Sequence, residues 1–319
     1  MIPVVDLADP HAGRALDTGL RELGFVRLRN HQLDTDTAAN YRSVSDAFFA
    51  LSSSEKLRYV HPNALANRGF RAKGSETLSY SLGKPTPPDL FESFNAGDPA
   101  VVIDAHPLVA ATPWPDDLIP GFSKAAGSLA NEFRSLCTHM ESLIESVTGF
   151  GSTGSGLRAD MMACIDYRPD ASGSEAVVDG QQRMGAHSDY TAFTLLLADP
   201  VPGLQIVTSN GEWIDVIPEP GELLFNVGDL LAIATNDVWP STLHRVVPMA
   251  AGAAATRRSV AYFRYPPLSQ VISPLPSFTS TELPARYDSV SVEEHLIGKL
   301  ASPKLRQLPT SALTDDGRV

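Results

Sequence analysis

The segment GAHSDYTAFTLL carries a histidine and an aspartate two positions apart, His187 and Asp189. If Gly185 to Asp189 is extended, both side chains leave the same side of the strand. A neutral imidazole beside a carboxylate can then chelate a divalent first-row metal. Alone, the pair is more often a hydrogen-bonded surface histidine next to an aspartate in a turn. His244, in the strand-like run STLHRVV, lies far enough along the chain for the intervening hairpins to return it beside His187. Two imidazoles and one carboxylate on a β scaffold compose the facial triad that holds non-haem Fe(II) and leaves the opposite octahedral face open. A structural zinc site would close with four ligands, often thiolates, and Cys137 and Cys164 are not placed to provide them.

An open face is useful when something fills it in order. TRRSVAYF supplies Arg257 and Ser259, which the period of two sets on one side of the next strand. A guanidinium forks onto a carboxylate with two parallel hydrogen bonds, and a hydroxyl adds one more. Facing a metal inside a barrel, this pair would hold the distal carboxylate of a dicarboxylic keto acid, while the keto and proximal carboxylate oxygens chelate the iron. The same alternation turns Arg258 the other way, toward solvent.

The elements that must position these residues fall into two halves. In the first, IPVVDL and FVRLRN read as strands, and PHAGRALDTGLREL, Asp34 to Leu51 and Gly121 to Val147 as helices, from apolar residues spaced by three or four. Residues 61 to 120 collect nine prolines and read as a long covering loop with short turns. After residue 160, eight short runs read as strands: MMACIDY, TAFTLLL, GLQIV, EWIDVI, ELLFNV, DLLAIAT, LHRVVP and RRSVAYFRY. With no helix between them, they predict an antiparallel jelly roll carrying flanking helices: a mainly β fold. A last helix is expected around Val292 to Leu300, MAAGAAAT (249 to 256) as a connecting loop, and a frayed polar tail. The organisation expected is a region 1–120 packed on a core 121–308, with a flexible tail 309–319, acting as one unit.

Composition narrows the function. The chain has 319 residues and a formal charge of −12 without clustered cations, which disfavours a nucleic-acid partner. No apolar run is long enough to cross a bilayer, and no signal peptide opens the chain, so a cytoplasmic location is expected. Two cysteines suit a reducing compartment. No obligate protein partner is evident.

The ordered motifs resemble the Fe(II)/2-oxoglutarate-dependent dioxygenases of the isopenicillin N synthase-like family. The matches are His187-Xaa-Asp189, His244 and Arg257-Xaa-Ser259, with VPGLQI, GEWIDV and NVGD in order between them. IPVVDL and GFVRLRNH are similar to the family's opening, and NRGF and PPDLFESFNAG resemble its bacterial members. The resemblance implies a double-stranded β-helix (jelly roll) core, Fe(II) on the triad, 2-oxoglutarate on Arg257 and Ser259, and dioxygen as co-substrate. It implies oxidation of a small organic molecule by hydroxylation, desaturation or ring formation, with release of succinate and carbon dioxide. Tyr167 matches loosely a tyrosine that helps hold 2-oxoglutarate in relatives, although Asp166, Arg168 and Pro169 depart from the usual Asn-Tyr-Tyr-Pro. Arg68, Phe70, Phe94 and Phe263 sit in segments that line the substrate side in relatives, and the loop 168–182 could serve as a lid. Two rivals stay open: an isopenicillin N synthase-like iron oxidase that dispenses with the keto acid, and a non-catalytic β-sandwich binding protein.

Overall fold

Helix α1 (Ala12–Leu23) buries Ala12, Leu16, Leu20 and Leu23 and stops at Gly24, whose φ of +63° is left-handed. A side chain at Gly24 would also meet the Pro240 carbonyl oxygen at 2.1 Å, so glycine answers both the conformation and the close approach. The chain then enters a strand directly. This computed structural model describes residues 1–79, 83, 86–99, 101, 103, 106–151, 156–168, 178–248 and 257–301. The alanine-rich stretch 249–256, residues 169–177 of the expected lid and the tail 309–319 lie outside the described residues.

Eight strands form the main sheet: β1 (Val4–Asp6), β2 (Phe25–Arg29), β3 (Gly69–Arg71), β4 (Glu92–Gly97), β5 (Met161–Asp166), β7 (Phe193–Ala198), β10 (Leu223–Val227) and β12 (Arg258–Arg264). Their order is β1-β2-β10-β7-β12-β5-β4-β3, antiparallel except for β1 against β2. A second sheet, in the order β6-β11-β8-β9, contains β6 (Met184–His187), β8 (Leu204–Val207), β9 (Trp213–Asp215) and β11 (His244–Val246). Its apolar face and that of the main sheet enclose one layer of core, including Phe25, Met161, Ile165, Ile206 and Val246. Helix α2 (Thr35–Phe49), capped by Asp34, is followed by the single turn of α3 (Ser53–Lys56). With the long helix α4 (Phe122–Thr148), α2 contributes to a separate, larger core on the main sheet's other face. Strand β5 is consequently buried along its whole length, with residues facing alternately toward the two layers. The core is a jelly roll with flanking helices.

Three expectations need correction. DLLAIAT is helix α5 (Asp229–Ala234), buried around most of its circumference, and a short apolar run of that kind has no period to distinguish it from a strand. The stretch 61–120 is not only loop, since β3 and β4 extend the main sheet from its edge. Arg258 does point away from Arg257's side but is 4% exposed, with its guanidinium paired to Asp46 of α2 and to Asp166. The outer face of β12 is roofed by a helix, so a residue turned away from the cavity meets protein, not water. A small pair, β13 (Val271–Ile272) and β14 (Val290–Ser291), leads into α6 (Val292–Ala301). Among the described residues, no helix is long and apolar enough to cross a membrane.

Candidate active site

Strands β6 and β11 are antiparallel neighbours, and their register sets His187 directly opposite His244. The two imidazole centroids are 4.3 Å apart. Each ring is oriented by its own backbone: His187 Nδ1 lies 2.7 Å from the Gly185 carbonyl oxygen and His244 Nδ1 3.1 Å from that of Thr242. A carbonyl only accepts, so each Nδ1 carries the proton and each Nε2 presents a lone pair. Asp189, just past the end of β6, places Oδ1 at 3.9 Å from His187 Nε2 and 3.8 Å from His244 Nε2. One ligand atom from each residue lies within 4.8 Å of the others, a spacing that a single metal ion can bridge.

The other oxygen of Asp189 is occupied. Thr194 Oγ1 donates to Oδ2 at 2.6 Å and Asn226 Nδ2 at 2.7 Å, which leaves Oδ1 available as a ligand atom. Burial alone raises the Asp189 carboxyl, but the two imidazoles and these two donors outweigh it, and its pKa is lowered. Burial and the adjacent His244 hold the His187 pKa well below its ordinary value despite the pull of Asp189, so the ring is neutral and free to ligate at neutral pH. Thr194 and Asn226 were not singled out from sequence. Their signal is a polar residue inside an otherwise apolar strand, FTLLLA and LLFNV.

Across the same cavity lies Arg257, 2% exposed, with its Nε and one terminal nitrogen lacking any hydrogen-bond partner. A buried guanidinium without an anion is costly, so the site calls for a negatively charged ligand. Tyr167 lies beneath it, with the ring centroid 4.8 Å from the guanidinium carbon. Its hydroxyl, raised by burial, is drawn back by the Arg257 charge and by hydrogen bonding with Ser259 and Arg257, so the three polar groups converge. Alternation on β12 places Ser259, Ala261 and Phe263 in this cavity as well. The donor set therefore fits both halves of the expected cofactor pair: a hard, open N,N,O triad for Fe(II), and a forked cation with two hydroxyls for a distal carboxylate.

The other expected pocket residues divide. Phe263 lines the cavity. Phe70 and Phe94 do not: both pack edge-on against Phe48 in the helix-facing core, because their strand positions point to the opposite side of the sheet. Arg68 is buried beside the cavity with a terminal nitrogen donating to the Leu108 carbonyl oxygen at 2.8 Å, a contact that ties loops together. The neighbours of these residues, Asn67, Ser93 and Asn95, are what face the cavity.

Comparison with known proteins agrees with this geometry. The 2OG-Fe(II) oxygenase superfamily model matches residues 159–266, and the model for the N-terminal region of non-haem dioxygenases in morphine synthesis matches residues 2–117. A 2-oxoglutarate-Fe(II) type oxidoreductase, ppzD, of Metarhizium rileyi is 32% identical over 90% of this chain and 84% of its own. Flavanone 3-dioxygenase 2 of Oryza sativa subsp. japonica is 29% identical over 92% and 82% of the two chains. A full-length Neurospora crassa protein solved in complex with alpha-KG superposes with a TM-score of 0.80 at 28% identity, covering 94% of this chain and 96% of that one. With its triad and its unpaired buried arginine on one jelly-roll interior, and with relatives alike over nearly their full length, the chain belongs to the 2OG-Fe(II) oxygenase superfamily.

Proposed function

We propose that His187, Asp189 and His244 hold Fe(II), and that Arg257 and Ser259, with Tyr167, hold the distal carboxylate of 2-oxoglutarate. The chain is a 2-oxoglutarate- and Fe(II)-dependent oxygenase. The chemistry these groups supply when bound is activation of dioxygen coupled to oxidative decarboxylation, which releases succinate and carbon dioxide and oxidises a small organic molecule.

The protein's own residues bind, orient and exclude water. Their Nδ1 bonds to carbonyls orient His187 and His244 so that each Nε2 faces the metal site, while Thr194 and Asn226 hold Asp189 so that one oxygen is presented. Arg257 fixes the keto acid at a set distance from the metal, and Leu204, Val246, Ala261 and Phe263 keep the cavity largely apolar. A dry site strengthens each of these electrostatic contacts. The observation that carries the reading is the unpaired Arg257 guanidinium sharing a cavity with the triad. An oxidase that dispenses with the keto acid could set its substrate's own carboxylate there; what favours keto-acid use is the likeness to a 2-oxoglutarate-Fe(II) type oxidoreductase and to a protein solved with alpha-KG.

A small uncharged molecule beside the keto acid has precedent in the same Neurospora crassa protein, which has also been solved in complex with alpha-KG and thymine, at a TM-score of 0.79 to this chain. The two buried, free thiols Cys137 and Cys164 support a reducing, cytoplasmic setting. Residues 1–120 and 121–308 act as one catalytic unit, since β1 to β4 belong to the same sheet as β5, β7, β10 and β12. Anaerobic addition of Fe(II) and then 2-oxoglutarate should produce a weak visible charge-transfer band. The same additions to the His187→Ala protein should produce none, and a band of equal strength there would refute the assignment.

A further inference from the structure

Strand β4 has two unlike faces. Phe94 and Ala96 point into the helix-facing core, whereas Ser93 and Asn95, 3% and 5% exposed, line the catalytic cavity. Ser93 Oγ donates to Asn95 Oδ1 at 3.0 Å, and Asn95 Nδ2 donates to Asn67 Oδ1 at 3.0 Å. The relay ends at Asn67 Nδ2, whose acceptor is the Met161 sulfur at 3.5 Å, a weak partner for an amide. Asn67 holds a left-handed backbone, φ +49° and ψ 45°, which asparagine tolerates and which turns its amide into the cavity. Amide and hydroxyl groups buried in an apolar wall cost free energy unless a partner completes their hydrogen bonding.

The charges around them limit what that partner is. Among the described residues lining the cavity, Arg257 is the one guanidinium or ammonium group, and Glu76 the one carboxylate beside Asp189. Glu76 already accepts from Arg71 Nε at 2.7 Å. With Arg257 given over to the keto acid, a substrate carboxylate or phosphate finds no free cation there, and a substrate ammonium no free carboxylate. Distance limits it too. Asn95 pairs with Ala163, Ala163 with Ala261, and Ala261 with Leu196, two residues beyond Thr194. Three strand spacings of about 4.8 Å separate the relay from the strand that steadies Asp189, roughly 14 Å along the sheet.

The geometry points to the Ser93–Asn95–Asn67 relay as the subsite that reads the remote end of the substrate, an uncharged molecule presenting a carbonyl or carboxamide edge. This rests on the keto-acid reading of Arg257 given above. Binding energy gained three strands away from β7 sets which carbon of the substrate faces the metal site.

The test uses the protein loaded anaerobically with Fe(II) and 2-oxoglutarate, with two probes of one shape: N-acetylphenylalaninamide, which is neutral, and N-acetylphenylalanine, a carboxylate. Displacement of the charge-transfer band reports binding. The amide should bind at least tenfold more tightly than the acid. Asn67→Gly, which keeps the left-handed backbone, and Asn95→Leu, close in volume, should each weaken the amide tenfold or more and leave the acid unchanged. Ser93→Ala is a third, independent variant in case either of those does not fold. Equal or tighter binding of the acid, no response to the amide, or wild-type affinity for it in the variants overturns the inference. If the band does not form before any probe is added, the keto-acid reading fails first and takes this inference with it.

Discussion

Arg257 and Arg258 are adjacent in sequence and project to opposite faces of one strand, the first into the catalytic cavity and the second beneath helix α2. Both are nearly inaccessible, at 2% and 4% exposure, yet their partners differ completely. Arg258 has two carboxylate partners, Asp46 and Asp166, and lies over the Phe49 ring, whereas among the described residues no carboxylate is paired with Arg257, two of whose nitrogens have no hydrogen-bond partner. One arginine fastens β12 to the outer layer so that the other can be held out, desolvated, toward an anion.

Replacing Arg257 by leucine removes a charge that has no protein anion to neutralise it. The keto-acid-free protein should therefore be no less stable, because nothing is left unpaired by the change. Affinity for 2-oxoglutarate should fall by about 3 kcal/mol, roughly a hundredfold, as a forked charge-assisted contact is lost. Metal affinity should stay as it was. Titration of the charge-transfer band and a thermal melt check the two halves, and unchanged 2-oxoglutarate affinity would exclude this arginine from cofactor binding.

Arg258→Leu should do the reverse. It strips a buried carboxylate, Asp166, of one partner while Arg168 Nε remains at 2.6 Å. A cost of about 3 kcal/mol is expected from breaking a buried pair on one side only. Urea unfolding measures it, and a loss below about 0.5 kcal/mol would mean the pair is neutral to stability.

Asn226→Leu removes one of the two donors that hold Asp189 Oδ2. The carboxylate then gains freedom to rotate and loses a hydrogen bond that favours its charged form. Metal affinity should fall by about ten- to a hundredfold, with Thr194→Val acting similarly. Titration with Co(II), read from its visible ligand-field bands, measures the change. Affinity equal to wild type in both variants would show that Asp189 is held by its backbone alone.

The chemistry was more legible in the sequence than its surroundings were. His187, Asp189 and His244 are read from ligand type and spacing; the register of β6 against β11 sets the two imidazoles opposite each other, and Thr194 and Asn226 hold the carboxylate beside them. Helices α1 and α4 announce themselves because each shows one apolar stripe. The face of β4 could not be read in that way. Its sequence ESFNAG sits among prolines, both faces are covered, and Phe94 looks as fit for a pocket as Asn95 does. Burial on both sides removes the polar–apolar alternation that would have told the two apart. Helix α5 was lost to the same cause, and Asn226 with it, since a single polar residue in a buried strand gains meaning only from what lies opposite.

The final prediction concerns acid stability and a histidine outside the triad. His295 on α6 lies 3.9 Å from Asp229 Oδ2, while Lys299 from the same helix contacts that carboxylate at 3.3 Å. Burial holds the His295 imidazole down to about 4, with Asp229 pulling up against it and Lys299 pushing further down. Between about 4 and the unfolded value near 6.5, the unfolded chain therefore binds the proton and the folded chain does not, so stability falls as pH falls through that window. His295→Gln has no such proton to take up. Other buried groups titrate here too: His187 tilts stability the same way, and Asp89, raised by burial to about 7, tilts it the opposite way. Both cancel when variant and wild type are compared at each pH. Relative to wild type, the variant should gain on the order of 2 kcal/mol between pH 7 and pH 4.5. Denaturant midpoints at the two pH values, taken on metal-free protein, supply the comparison, and parallel pH profiles would show that His295 protonates as readily folded as unfolded.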